Sequence, residues 1–130
     1  MKKINVGDIW QGDSYTDMIN KVLDTNYKMY MQAGVPLKKF GLAGIAWFVY
    51  MDGKNHKGWK NIISDDENTI VEILDNINNC NDGIDRVYRL AFRRDPDNKG
   101  NRYKCKCLGY FKRSEISDNK LKRTYKKKIR

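Results

Sequence analysis

The sequence predicts an α+β domain in which one amphipathic helix packs on a curved, mainly antiparallel sheet of about five or six strands. Three observations carry that expectation. Apolar residues recur at intervals of three and four over one stretch, Tyr15 to Met31, which is helical spacing. Gly41 to Met51, GLAGIAWFVYM, is apolar almost throughout, as a strand buried on both faces reads. Asp85 to Glu115 holds two alternating runs around a polar turn, the pattern of a β-hairpin.

Taken in order, Lys3 to Gln11 reads as a first strand with Ile4, Val6, Ile9 and Trp10 inward and Gly7-Asp8 as a bend. Asp13 or Ser14 caps the helix, Asp17 lies in its first turn, and Met18, Ile19, Val22, Leu23, Tyr27, Tyr30 and Met31 form its apolar stripe. Gly34 is the natural residue past its end and Pro36 prevents resumption, with Asn26 a point where the run divides into two shorter helices. A Met and Tyr stripe of this kind is core packing. The strand of Gly41 to Met51 is expected at the centre of the sheet and closes at Asp52-Gly53. Asn61 to Leu74 reads as a hairpin turning at Ser64 to Asn68, and Asp75 to Gly83 as a polar loop. Ser114 onward reads as a short helix that frays. The expected organisation is one domain over 1–117 and a basic, disordered tail over 118–130.

In the hairpin, side chains alternate across each strand. Tyr88, Leu90 and Phe92 share one face, and Arg89 and Arg93 share the other with Val87 and Ala91. On the second run Tyr103, Cys105, Cys107 and Phe111 line one face, and Lys104, Lys106 and Lys112 the other with Leu108 and Tyr110. Asp97-Asn98-Lys99-Gly100 suits a type I turn with Gly100 in a G1 bulge. Pairing the apolar faces stacks Arg89 and Arg93 beside Lys104 and Lys106. Like charges across a strand pair destabilise it, so this face reads either as the seat of an anion or as a solvated outer face.

The chain of 130 residues is long enough for one core, and 40% hydrophobic and 12% aromatic residues argue that it folds. Its charge of +10 is uneven: Lys120, Lys122, Arg123, Lys126, Lys127, Lys128 and Arg130 oppose only Asp118, a net +6 that leaves +4 for the preceding 117 residues. Such a balance suits phosphate-rich partners, DNA or RNA, or an anionic membrane surface. Three cysteines without a framework spacing imply reduced thiols, and no apolar run has signal-peptide or membrane-spanning length; a cytoplasmic protein with no membrane span is expected. The wealth of Lys, Asn and Ile fits an AT-rich coding sequence, as in a low-GC bacterium or its phages.

Catalytic motifs are scarce. His56 is the only histidine, too few for zinc fingers or His-based nuclease sites, and Cys105 and Cys107 read as small buried residues rather than zinc ligands. Asp65-Asp66-Glu67 occupies a turn, where acids are expected for conformational reasons. Pro96-Asp97 followed by Tyr103-Lys104-Cys105-Lys106 lacks the second acid of a PD-(D/E)xK nuclease. No phosphate loop or dinucleotide fingerprint occurs, so no cofactor is expected and a metal-dependent nuclease is the minority reading. Trp59, in a loop between Lys57 and Lys60, reads either as a platform on which a base stacks or as a Trp that closes one end of the core; Trp47 reads as core.

The order GWKNIISDDENTIVEI, polar loop, VYRLAFRRDPDNKGNRYKCKCLGYFKRSE resembles the C-terminal half of PUA-like superfamily modules, the SRA and EVE group, that accompany bacterial HNH endonucleases and read modified bases. Tyr88, Arg89, Leu90 and Phe92 match the first strand of that pattern, and Tyr103, Leu108, Gly109 and Phe111 the second. The resemblance implies a partial barrel that holds DNA, or a flipped base in an aromatic pocket.

The expectation is therefore a non-enzymatic nucleic-acid-binding domain. Its site residues are Trp59, Lys60, Arg89, Arg93, Arg94, Lys104, Lys106, Lys112, Arg113, Lys122, Arg123, Lys126, Lys127 and Lys128, with no catalytic or metal-binding residue. The alternative is a small phage or mobile-element protein that binds and inhibits a host nuclease or nucleoprotein defence complex.

Overall fold

The fold is described from a computed structural model that places residues 3–29, 31–76, 86–94 and 103–128. Ser14 starts the helix α1 (Tyr15–Leu23) as the sequence predicts: its backbone is extended and its hydroxyl accepts the Asp17 N–H at 3.0 Å. The helix ends earlier than the apolar stripe suggests. Asp24 turns left-handed (φ 56°) and donates its N–H to the Asn20 carbonyl, while the Asn20 side chain takes the Tyr27 N–H at 2.8 Å and donates to the Tyr27 carbonyl at 2.8 Å. One side chain thus fastens the chain that follows, and Gly34 opens a strand instead of closing a helix.

Eight strands form one sheet: β1 (Ile9–Gly12), β2 (Gly34–Pro36), β3 (Ile45–Tyr50), β4 (Trp59–Ile63), β5 (Thr69–Leu74), β6 (Tyr88–Arg94), β7 (Tyr103–Ile116) and β8 (Lys122–Lys127). They run in the order β2-β3-β6-β7-β8-β5-β4, with β1 also on β7. All neighbours are antiparallel except β3 and β6. Strand β7 anchors the whole: β6 holds one edge, while β1 and then β8 share the other. The sheet curls until its far strand meets β3 again, through a bridge from Asp52 to Ile62 and a hydrogen bond from the Gly53 N–H to the Asn61 carbonyl at 3.0 Å.

The curl gives the sheet two buried faces. Outside, Met18, Ile19, Val22 and Leu23 of α1 pack on Ala46, Phe48, Phe92, Cys105 and Cys107. Inside, Ile45, Trp47, Ala91, Leu108, Phe111 and Tyr125 pack together with Ile70 and Met51. The continuous apolarity of β3 follows, since both its faces are covered.

Three expectations are corrected. The strand count among the described residues rises to eight because β2 is short and β8 is polar in sequence. The segment expected to fray as a helix and a disordered tail continues β7 to Ile116 and returns as β8, whose Arg123 and Tyr125 are wholly buried while Lys122 and Lys126 face water. A bulge interrupts the hairpin parity: Ala91 pairs with Gly109 and Phe92 with Cys107, so Leu108 is the extra residue. Beyond it Phe111 joins Leu108 in the interior, opposite Cys105 and Cys107. The turn expected at Asp97 to Gly100, Tyr30, Cys80 and most of the Asp75 to Gly83 loop lie outside the described residues.

The parallel contact between β3 and β6 depends on Gly44. Its φ is +88°, and a Cβ there would lie 1.9 Å from the Tyr88 carbonyl oxygen. Gly44→Ala is expected to destabilise the domain by about 3 kcal/mol, the sum of a left-handed penalty and a forced backbone shift; urea unfolding measures it.

Candidate nucleic-acid interface

A two-residue turn builds one wall of a cleft. Lys57 and Gly58 both have positive φ (55° and 90°), the type I′ geometry that joins twisted antiparallel strands most tightly. His56 and Trp59 are therefore directly paired, exchanging N–H···O bonds of 2.7 and 3.1 Å, and their side chains stand side by side. Asn55 secures the turn by accepting the Gly58 N–H at 3.0 Å. The His56 ring packs on Tyr50 with centroids 4.7 Å apart, and its Nε2 lies 3.0 Å from the Asp52 carboxylate. Burial opposes the Asp52 charge, but the Lys54 N–H and His56 outweigh it and hold this carboxyl below its ordinary range.

The cleft opens where β3 and β4 meet by so few hydrogen bonds. It has a volume of about 360 Å³, within the range of ligand pockets. Tyr50, His56 and Trp59 line it, and Trp47, Asn61, Glu72 and Arg89 lie deeper. Glu72 is the centre of a buried network. Its carboxylate accepts from Arg89 Nη1 at 3.2 Å and from the Tyr125 hydroxyl at 3.3 Å, and lies 3.8 Å from Arg123 Nη1. The Arg89 guanidinium lies 4.5 Å from the centres of both the Trp47 and Tyr125 rings, which contact each other at 5.6 Å. Burial, with Glu72 beside it, pushes the Tyr125 hydroxyl well above its ordinary pKa. Asn61 is buried as well, and its Oδ1 has no hydrogen-bond partner among the described residues. A buried acceptor without a partner is costly, which makes this atom the natural contact for a donor brought into the cleft.

The residues expected to bind nucleic acid are dispersed by the fold. Trp59 does line the cleft, though it begins β4 rather than lying in a loop; Lys60, next to it, is half-buried. Arg89 belongs to the cleft floor and Arg123 to the core, and neither is a surface cation. Arg113 is half-buried on β7 opposite Tyr125. Arg93 and Lys106 are both paired to Glu67, at 3.3 and 3.4 Å. Arg94 stacks against Tyr15 and Tyr50, with centroid distances of 4.3 and 4.5 Å. Lys112 and Lys128 both lie over the Tyr88 ring, Lys127 lies over Phe111, and Lys126 donates to Thr69. Lys104 and Lys122 are exposed. The hairpin's basic face is thus divided: Arg89 lies in the interior of the curled sheet, Arg93 and Lys106 are held at its rim by Glu67, and Lys104 and Lys112 are exposed. The charge cluster is answered largely by Glu72 and Glu67.

Tyr50, His56, Asn61 and Glu72 are site residues that the sequence expectation does not contain. The Lys57-Gly58 pair signals a tight turn, and Glu72 is a charged residue in the inward phase of an apolar strand, between Ile70 and Leu74. The acidic turn does structural work: Asp66 accepts from the Ser64 hydroxyl at 2.6 Å and the Asn68 N–H at 3.0 Å, and these bonds lower its pKa. Cys105 and Cys107 lie under α1, and burial pushes their thiols up to about 12 and about 11.

A curled sheet backed by one helix among the described residues is consistent with the PUA-like class. The chain belongs to the SRA family: the family model of the SET and RING associated domain matches residues 1–130. Domains of this family bind DNA and are not themselves catalytic, so the chain is a DNA-binding module. Among solved structures it is similar to the 5-hydroxymethylcytosine-specific restriction enzyme AbaSI, with 21% identity and a TM-score of 0.64 over 91% of this chain and 38% of that one. At that identity the likeness is one of fold, and the chain corresponds to well under half of that enzyme's length. No curated protein matches the chain. The family assignment supports the DNA-binding expectation and lends nothing to an inhibitor of host nucleases or to a pairing with HNH endonucleases.

Proposed function

We propose that the domain reads DNA by taking one nucleotide out of the duplex into the cleft between β3 and β4, and that the base it accepts is a cytosine modified at its 5-position. The observation that carries this reading is the unpartnered Asn61 Oδ1 beside the Glu72 carboxylate at the bottom of an aromatic-walled cleft. Cytosine offers its N4 amino group to acceptors of this type, and extruded bases are held by such hydrogen bonds together with stacking on aromatic rings. The family, and the restriction enzyme whose fold the chain shares, support a modified cytosine as the target. The exposed Lys104, Lys112, Lys122, Lys126 and Lys128 supply sequence-independent attraction to the backbone.

Fluorescence anisotropy with duplexes that differ only in one cytosine, plain, 5-methyl or 5-hydroxymethyl, tests the reading. At least one modified duplex is expected to bind about 5-fold or more tighter than the plain one, and Asn61→Ala to weaken that duplex by about 5- to 10-fold, the value of one hydrogen bond at a buried acceptor. Equal affinity for all three duplexes would refute base reading.

A further inference from the structure

Beside the base cleft lies a second recess, of about 420 Å³, lined by four cations, Arg93, Arg94, Lys104 and Lys106, with Asp52 as the acid on its wall. The two spaces share a wall: Arg94 lines both, and Asp52 of the recess holds the His56 ring of the cleft wall. Glu67 reaches this cluster from the turn between β4 and β5, its two carboxylate oxygens lying 3.3 Å from Arg93 Nη1 and 3.4 Å from Lys106 Nζ. The three side chains are 28, 40 and 34% exposed, so water reaches both ion pairs and they can open without a change of fold. Glu67 also holds a positive φ of 60°, a conformation that suits Gly or Asn at such a turn. A strained residue therefore presents a carboxylate to two cations of a recess that still carries a net positive charge.

We propose that this recess is a phosphate site of the DNA interface, and that Glu67 is an internal carboxylate that holds Arg93 and Lys106 until a backbone phosphate replaces it. The inference rests on the DNA-binding reading and adds a site to it. A nucleotide drawn into the cleft brings its flanking phosphates to the rim, and the recess one side chain away meets one of them with two guanidinium and two ammonium groups. Arg binds phosphate through its planar fork and Lys as a point charge, and contacts of this kind set register without reading sequence. Because Glu67 competes for the same two cations, it weakens binding to every duplex alike and leaves discrimination to the cleft.

Glu67→Gln keeps the shape and removes the charge. It is expected to bind plain and modified duplexes equally more tightly, by about 2- to 10-fold, the worth of two exposed ion pairs, with the ratio between duplexes unchanged. Adding Lys106→Ala to Glu67→Gln is expected to erase the gain, and thermal melting of each variant verifies that it folds. Titration with inorganic phosphate, followed by NMR at the Arg93 and Arg94 side chains, is expected to show tighter binding by Glu67→Gln than by the natural chain. If a folded Glu67→Gln binds duplex and phosphate no more tightly than the natural chain, the phosphate site is wrong and base reading stands. If the natural chain discriminates no cytosine while Glu67→Gln gains affinity for every duplex and for phosphate, base reading is wrong and the phosphate site stands.

Discussion

Glu72→Ala is expected to lower the stability of the domain by about 3 to 5 kcal/mol, the cost of leaving a buried ion pair without one partner. Glu72 is 2% exposed, and the two arginines it faces, Arg89 and Arg123, are 3% and 0% exposed. Without it the Arg89 guanidinium keeps, among the described residues, its aromatic neighbours and the Arg86 carbonyl, 3.0 Å from its Nε, and its charge loses the Glu72 carboxylate. The substituted residue also vacates the space between β5, β6 and β8. For a domain of this size such a loss corresponds to a fall in Tm of roughly 10 °C or more, which differential scanning calorimetry reads directly. Glu72→Gln keeps the volume and the acceptor and is expected to fall between the natural chain and the alanine variant. A Glu72→Ala variant that melts with the natural chain would show that the buried network does not hold the interior together.

Trp59→Ala is expected to weaken binding of the preferred duplex by about 1 to 3 kcal/mol, or roughly 5- to 150-fold, the range for loss of one base–aromatic stack. Trp59 is half-buried at the cleft and positioned by the His56 pair and the type I′ turn, so its removal takes away a preorganised surface. The turn and its backbone bonds involve no Trp59 side-chain atom, and the melting temperature is expected to change far less than it does for Glu72→Ala. Trp59→Phe, which keeps a ring, is expected to recover most of the affinity. The two substitutions thus separate the roles of the cleft: Glu72 maintains its floor and Trp59 meets the ligand.

Much of the frame was legible wherever one residue's periodicity answered to one environment. The start of α1, the two-sided burial of β3, the hairpin of β4 and β5 and the two long strands β6 and β7 all follow from spacing and turn chemistry. The missing parts depend on contacts distant in the chain or on single-residue events. The bulge at Leu108 shifts parity by one and moves Phe111 to the other face, which alternation cannot show. Strand β8 was read as a cationic tail because its lysines dominate KRTYKK, although Arg123 and Tyr125 already alternate with them. The helix end escaped because Tyr27 and Met31 continue its spacing while Asn20 pulls the chain away. The cleft was half legible. Trp59 stood out between its lysines, whereas Glu72 acquires its partners only when β5 and β6 are brought together across 17 residues and β5 and β8 across 53. Arg89 and Arg93 look alike in sequence, and only the curl of the sheet makes one a buried strut and the other a cation at the recess.

The central claim is that a base leaves the stack and enters the cleft, and 2-aminopurine fluorescence tests it most directly. Placed next to the modified cytosine in an otherwise identical duplex, 2-aminopurine is quenched by stacking and brightens when its neighbour is withdrawn. Saturating the duplex with the natural chain is expected to raise the fluorescence several-fold, and saturating it with Trp59→Ala to raise it much less. A saturated complex in which the fluorescence stays at the level of the free duplex would contradict base extrusion.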